Sequence, residues 1–214
     1  MNRAMAGFVA VLLMGSRASA GLIAVDFDTG YSVYGNGSKI YGFEFEANSA
    51  VSVTALGNLD ATGSGFSQPQ QVGLWDLDGN LLASTFVDNS DPLVNDKWRF
   101  HEITPVTLTS GQSYIVGGQG GADFTAFINT PYVDPRITFV QDRHGYVGSF
   151  SNDPLFFPNE SDNRGLNEAS YFGANFQLAA VPEPGSLVLF GFAAVWGGLA
   201  ARRRRIAAPL PSVS

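Results

Sequence analysis

The sequence predicts an all-β fold, an antiparallel two-sheet sandwich of jelly-roll-like form, with one apolar helix at each end of the chain. Three observations lead there. Between Gly21 and Ala180 the apolar residues recur in short alternating runs, and no long stretch shows the 3.6-residue period of an amphipathic helix. Polar turns rich in Gly, Asn, Asp and Pro separate those runs at intervals of roughly ten to fifteen residues, the spacing of sandwich strands. The chain has no cysteine, so no disulfide staples the fold and a core of adequate size must hold it.

The first element is a leader. Arg3 precedes a nearly continuous apolar run from Ala4 to Gly15, and Ala18-Ser19-Ala20 supplies a small-residue cleavage site. That order of charge, apolar run and small residues is a secretory signal peptide over 1–20, cut after Ala20.

The strands follow. Leu22–Phe27 is the first. Ile40–Glu46 alternates, with Tyr41, Phe43 and Phe45 on one face and Glu44 and Glu46 turned toward water. Val51–Leu59 is next. Val72–Leu77 and Leu81–Val87 flank Asp78-Gly79-Asn80, which signals a hairpin with a tight primed turn. Trp98–Ile103, Ser113–Val116, Phe124–Ile128, Ile137–Val140 and Ala169–Leu178 complete about ten strands. Pro92, Pro105, Pro131, Pro135, Pro154 and Pro158 fall at strand ends or edges, where a missing N–H does least harm. Gly145–Asn167 has no strand pattern and is expected to be a long surface loop.

The last element is a second apolar segment. Gly185–Ala201 contains no charge, follows Val181-Pro182-Glu183-Pro184 and ends in Arg202, Arg203, Arg204 and Arg205. A helix over Leu187–Ala201 spans about 22 Å at 1.5 Å per residue. Adding Gly185 and Ser186, with the arginines reaching outward, brings it close to the ~30 Å hydrocarbon core. The arginines resist translocation and bias that end to the cytoplasm. The expected organisation is therefore a signal peptide (1–20), an exported β-sandwich (21–180) and a C-terminal signal (181–205). The signal comprises a motif at 181–184, a single transmembrane helix at 185–201 and an arginine cluster at 202–205. A cytoplasmic tail follows at 206–214.

The order of Pro182, Glu183 and Pro184, an apolar helix and the arginine cluster resembles the PEP-CTERM sorting signal of exported proteins in Gram-negative bacteria. The resemblance implies that an exosortase, a membrane-embedded sorting protease, processes the chain near Pro-Glu-Pro. It also implies a place at the cell surface or in extracellular polysaccharide. The tail Ile206–Ser214 departs from the pattern, which ends soon after the basic cluster. A second resemblance covers Val72–Gly117, with Leu74, Trp75, Asp76, Leu81-Leu82-Ala83, Trp98, Pro105, Gly111 and Tyr114. Together with the closing Tyr171-Phe172-Gly173-Ala174-Asn175-Phe176, it is similar to an uncharacterised β-sandwich module of bacterial extracellular proteins. It implies a fold and no activity.

Charge narrows the partners. Six of the 12 basic residues lie in the two targeting segments, so the exported part carries six against 18 acidic residues, a net charge of −12. A phosphate backbone requires the opposite sign, which excludes nucleic acid as the expected partner. Neutral glycans and divalent cations remain compatible.

Catalytic constellations are sparse. There is no G-x-S-x-G elbow, and His101 and His144 are the only histidines. His101 falls in an alternating strand and His144 before a turn, and two isolated histidines make a poor zinc site. The pairs Asp26/Asp28, Glu44/Glu46 and Asp76/Asp78 each place two carboxylates on one strand face, equally the pattern of a solvated sheet. No catalytic residue, no metal ligand and no cofactor is expected.

Structural calcium is the one ion worth weighing, at Asp76–Asn80 or at the oxygen-rich Asp88–Asp91 and Asn95-Asp96. The first lacks the glycine and glutamate positions of a calcium loop, and all three suit turns. Trp75 and Trp98 are expected in the core. Tyr132, Tyr146, Phe156 and Phe157 lie in loop-like segments and are the better candidates for stacking on sugars. The expected role is structural or adhesive and non-enzymatic, linked to exopolysaccharide. A carbohydrate-binding module is the alternative and a carbohydrate-active enzyme the third reading.

Overall fold

The structure, a computed structural model, describes residues 21–28, 32–35, 39–120, 124–128, 131–146, 155–165, 168 and 170–179. The signal peptide with Ala18 and Ala20 lies outside the described residues. So do Pro182, Glu183, Pro184, the expected transmembrane helix, Arg202 to Arg205 and the tail. The chain divides into two compact units, Met1–Ala179 and Ala180–Ser214, the second wholly outside the described residues. No helix among the described residues is long and apolar enough to cross a membrane.

The described residues form strands and no helix. In chain order these are β1 (Leu22–Ile23), β2 (Val25–Asp26), β3 (Ser32–Gly35), β4 (Lys39–Ala47), β5 (Val51–Leu59) and β6 (Gln70–Asp76). Next come β7 (Leu81–Val87), β8 (Leu93–Val94), β9 (Trp98–Leu108), β10 (Ser113–Gln119) and β11 (Phe124–Ile128). Last are β12 (Tyr132–Val133), β13 (Ile137–Tyr146), β14 (Ser170–Phe172) and β15 (Ala174–Leu178). Two five-stranded sheets carry the fold, β1-β15-β5-β9-β8 and β13-β4-β10-β6-β7. A three-stranded sheet β14-β11-β3 and the pair β12-β2 accompany them, and the pairings are antiparallel.

The two large sheets meet through aromatic side chains. Alternation on β4 sends Phe43 and Phe45 inward, where they meet Phe176 of β15 at ring-centroid distances of 6.1 and 4.6 Å. Phe139 and Phe172 join Phe43, each at 5.7 Å. Val53, Leu56, Leu74, Val116 and Trp98 fill the remaining space, all fully buried. Each large side chain taken from water contributes about 1.5–3 kcal/mol, which stands in for the missing disulfides.

Several expectations are corrected. The first strand is two, because Ala24 turns from one partner to another. Its N–H donates to Phe176 O while its own carbonyl accepts from Asp134, so β1 pairs β15 and β2 pairs β12. The last strand is likewise split, at Gly173. The Asp78-Gly79 hairpin forms, but not with a primed turn. That turn needs two successive positive φ angles, and here only Gly79 has one, at 85°. Gly79 N–H donates to Asp76 O and Asp76 N–H donates to Asn80 O, the pattern of a type I turn closed by a left-handed glycine. Two successive left-handed residues occur instead at Asn95 and Asp96, φ 50° and 57°, between β8 and β9.

At its described positions, 145–167 is irregular, as expected, except that Gly145 and Tyr146 end β13 and Glu160 bridges to His144. Strand β13 runs six residues past Val140, and residues 155–165 pack against the sheet. The outward face of β4, β10 and β6 carries Ile40, Ile115 and Trp75, all buried although they face away from the main core. Leu155–Pro158 covers them. A Cβ on Gly73 would lie 2.6 Å from Leu155 Cδ2, one on Gly117 3.0 Å from Pro158 Cγ, and one on Gly145 2.5 Å from Phe156 Cε2. Three glycines thus leave the groove in which this strap lies. Phe157 meets the Trp75 ring edge-on at 6.2 Å, and Leu155 N–H donates to Gln71 Oε1 at 3.2 Å.

Candidate functional site

The carboxylates singled out in the sequence are drawn into separate structural tasks. Asp26 lies in β2 and Asp28 beyond it, so the two do not share a strand face. Asp26 Oδ1 accepts the Trp98 indole N–H at 3.0 Å and meets Lys97 Nζ at 3.2 Å, and Oδ2 accepts Asn95 Nδ2 at 2.6 Å. Glu44 does not face water as expected. It is buried, and its Oε2 accepts Gln141 Nε2 at 2.7 Å and Arg143 Nε at 3.0 Å, while Glu46 is exposed. Asp76 closes the hairpin, accepting Asn80 N–H and Asn80 Nδ2 at 2.9 Å each. These bonds, led by the Asn80 side chain, hold its carboxyl below the usual carboxylate range.

The oxygen-rich loop Asp88–Asp91 is a turn with its oxygens engaged. Asp88 Oδ1 accepts Ser90 N–H at 2.7 Å and Ser90 Oγ at 2.6 Å, which lowers its pKa. Asp91 Oδ2 accepts Asp88 N–H, and Oδ1 lies 2.9 Å from His101 Nδ1. His101 is half-exposed on β9. His144 stands in β13 rather than in a turn, and it is buried.

Among the aromatics, Trp75 and Trp98 are core residues, as expected. Phe156 and Phe157 are half-buried in the strap, and the side chain of Tyr146 lies outside the described residues. Tyr132 is different. It is 62% exposed on the two-residue strand β12, opposite Asp26 in register. It rims an open hollow of about 420 Å³ shared with Leu22, Asp26, Val94, Asn95 and Asp134. An exposed ring beside carboxylate and amide groups offers an apolar face with polar groups at its rim.

Asp134 anchors this end. Arg136 Nε donates to its Oδ1 at 2.9 Å and Nη2 to its Oδ2 at 3.0 Å, a bidentate pair, while Arg136 Nη1 donates to Ala179 O at 2.7 Å. Burial pushes the Asp134 carboxyl up. The side-chain and backbone hydrogen bonds from Arg136, with its charge, outweigh that and hold the group below its ordinary value.

Sequence reasoning missed one grouping. Asp142 and His144 alternate on β13, and Asp162 of the strap joins them, with one candidate ligand atom from each within 4.8 Å of the others. Asp142-x-His144 is the available signal, hidden because the clear alternation in sequence ends at Val140.

Residues 180–205 match the PEP-CTERM protein-sorting motif. No curated protein and no solved structure matches the chain. The matched residues take in Pro182, Glu183, Pro184 and all four arginines of the cluster, the features that set the C-terminus apart in sequence. This chain carries a PEP-CTERM sorting signal at its C-terminus, which marks it as an exosortase substrate.

Proposed function

We propose that the exported domain is a structural or adhesive protein of the cell surface or extracellular matrix, linked to exopolysaccharide, and that it performs no catalysis. The sorting signal at 180–205 is the observation that carries this reading, since it implies export and handling at the membrane by an exosortase. The acidic domain of the exported segment, in a two-sheet, jelly-roll-like sandwich, suits a hydrated polysaccharide matrix. The non-enzymatic part is supported by how the acid–base candidates are used. Glu44 is held by Arg143, His101 by Asp91 and Asp76 by Asn80. The test is fractionation of cells with and without exopolysaccharide synthesis. Release of the protein into the medium when the polysaccharide is lost supports the reading, and unchanged association contradicts it.

Carbohydrate binding is the second reading, favoured by Tyr132 and its hollow. Retention of the protein on a polysaccharide array, lost in Tyr132→Ala, supports it. Equal retention of the variant removes Tyr132 from the account.

A further inference from the structure

We propose that Asp142, His144 and Asp162 form a divalent-metal site, of the zinc class, that fastens the strap to the edge of β13. The backbone assembles it. Glu160 and His144 exchange N–H···O bonds of 3.0 and 2.9 Å, and Asp142 N–H donates to Arg164 O at 3.1 Å. The strap therefore runs alongside β13 as an added edge, and Asp162 arrives beside two side chains some twenty residues earlier. Asp142 and His144, two apart on a strand, share one face. Their candidate ligand atoms and that of Asp162 lie within 4.8 Å of one another.

A separate observation points to an ion. Asp142 has 0% exposure. Its Oδ1 accepts Ser161 Oγ at 3.0 Å and Arg164 N–H at 3.1 Å. Its Oδ2 is sealed from solvent and accepts nothing. A buried carboxylate oxygen with no donor is costly, and a cation removes that cost. The two bonds to Oδ1 also fix the carboxylate plane, as partners of a metal-ligating group do.

Charge favours a dication. Asp142, Asp162 and Glu160 bring three carboxylates, of which Asp162 meets the Arg164 guanidinium at 3.2 Å through Oδ2, while neighbouring Arg143 is paired with Glu44. Ligand chemistry selects the metal. One imidazole with carboxylates suits zinc, whereas calcium asks for six to eight oxygens. Glu160 Oε2, 3.6 Å from His144 Nε2, or a water supplies a fourth position. The inference is independent of the role proposed above.

The experiment uses the full chain in detergent, stripped with chelator, then titrated calorimetrically with Zn²⁺, Mn²⁺ and Ca²⁺. The expected result is one Zn²⁺ per chain, a melting temperature that climbs with zinc concentration, and slower proteolysis of the strap. Asp162→Asn and His144→Gln each weaken zinc binding by at least about tenfold. His101→Gln, the other imidazole, leaves binding unchanged. Because Asp162 is exposed, Asp162→Asn keeps the fold intact and the test readable. No stoichiometric zinc binding, wild-type binding by Asp162→Asn, or binding of calcium in preference to zinc overturns the proposal.

Discussion

The indole N–H of Trp98 donates to Asp26 Oδ1 at 3.0 Å, across 72 residues of sequence. The same carboxylate meets Lys97 Nζ at 3.2 Å, accepts Asn95 Nδ2, and accepts Phe27 N–H at 2.9 Å. One side chain thus ties β2 to the β8–β9 turn and the start of β9. Asp26→Ala leaves a buried lysine without its carboxylate and a buried indole without its acceptor. We expect a loss of about 3 kcal/mol, read as a lower urea midpoint with unchanged slope.

The strap predicts a different kind of sensitivity. Gly73→Ala places a Cβ 2.6 Å from both Leu155 Cδ2 and Trp75 Cη2. A leucine methyl can yield, but a buried indole cannot without moving the strand beneath it. The expected cost is about 1–3 kcal/mol. Hydrogen exchange should rise around Leu155–Pro158 and remain slow in β5. Equal change in both places would mean that the strap is not a separate layer.

Acid should reveal the Asp134–Arg136 pair. The Asp134 carboxyl is held below its ordinary value in the folded protein. Its contribution is therefore complete above the unfolded pKa of about 3.9 and fades as pH falls through the lowered folded value. Asp134→Asn should reduce stability at pH 7 and flatten its dependence on pH below about 4. The check is a series of thermal melts from pH 7 to pH 2.5, in which parallel curves for wild type and variant would contradict this assignment.

Maturation should depend on the C-terminal signal. Glu183→Ala, or replacement of Arg202 to Arg205 by alanine, is expected to accumulate uncleaved precursor in the membrane fraction. An immunoblot against the β domain measures this, with processing at the wild-type level as the contrary result.

Much of the β framework was legible because alternation reports directly on which face is buried. Val51–Leu59 and Leu81–Val87 are strands with the expected bounds, and the Phe43/Phe45 face is the core face. What escaped depended on partners distant in sequence. Glu44 alternates outward as a solvated residue does, and only Arg143 and Gln141 across the strand pair make it buried. Short strands such as Leu93–Val94 and Tyr132–Val133 offer too few residues to establish any period. The strap has no period because its residues serve a groove cut by glycines on three other strands. His144 looked like a turn residue beside Gly145, yet that glycine makes room for Phe156. The sorting signal was legible because its function lies in composition and order along the chain, which folding does not rearrange.

The signal at 180–205 implies that the β domain is exported and handled at the membrane. Mass spectrometry of the protein recovered from the cell exterior tests it most directly. The expected result is a polypeptide that begins at Gly21 and ends upstream of the apolar segment that starts at Leu187. Recovery of the intact chain, Met1 to Ser214, from the soluble cytoplasm, with none outside, would contradict it.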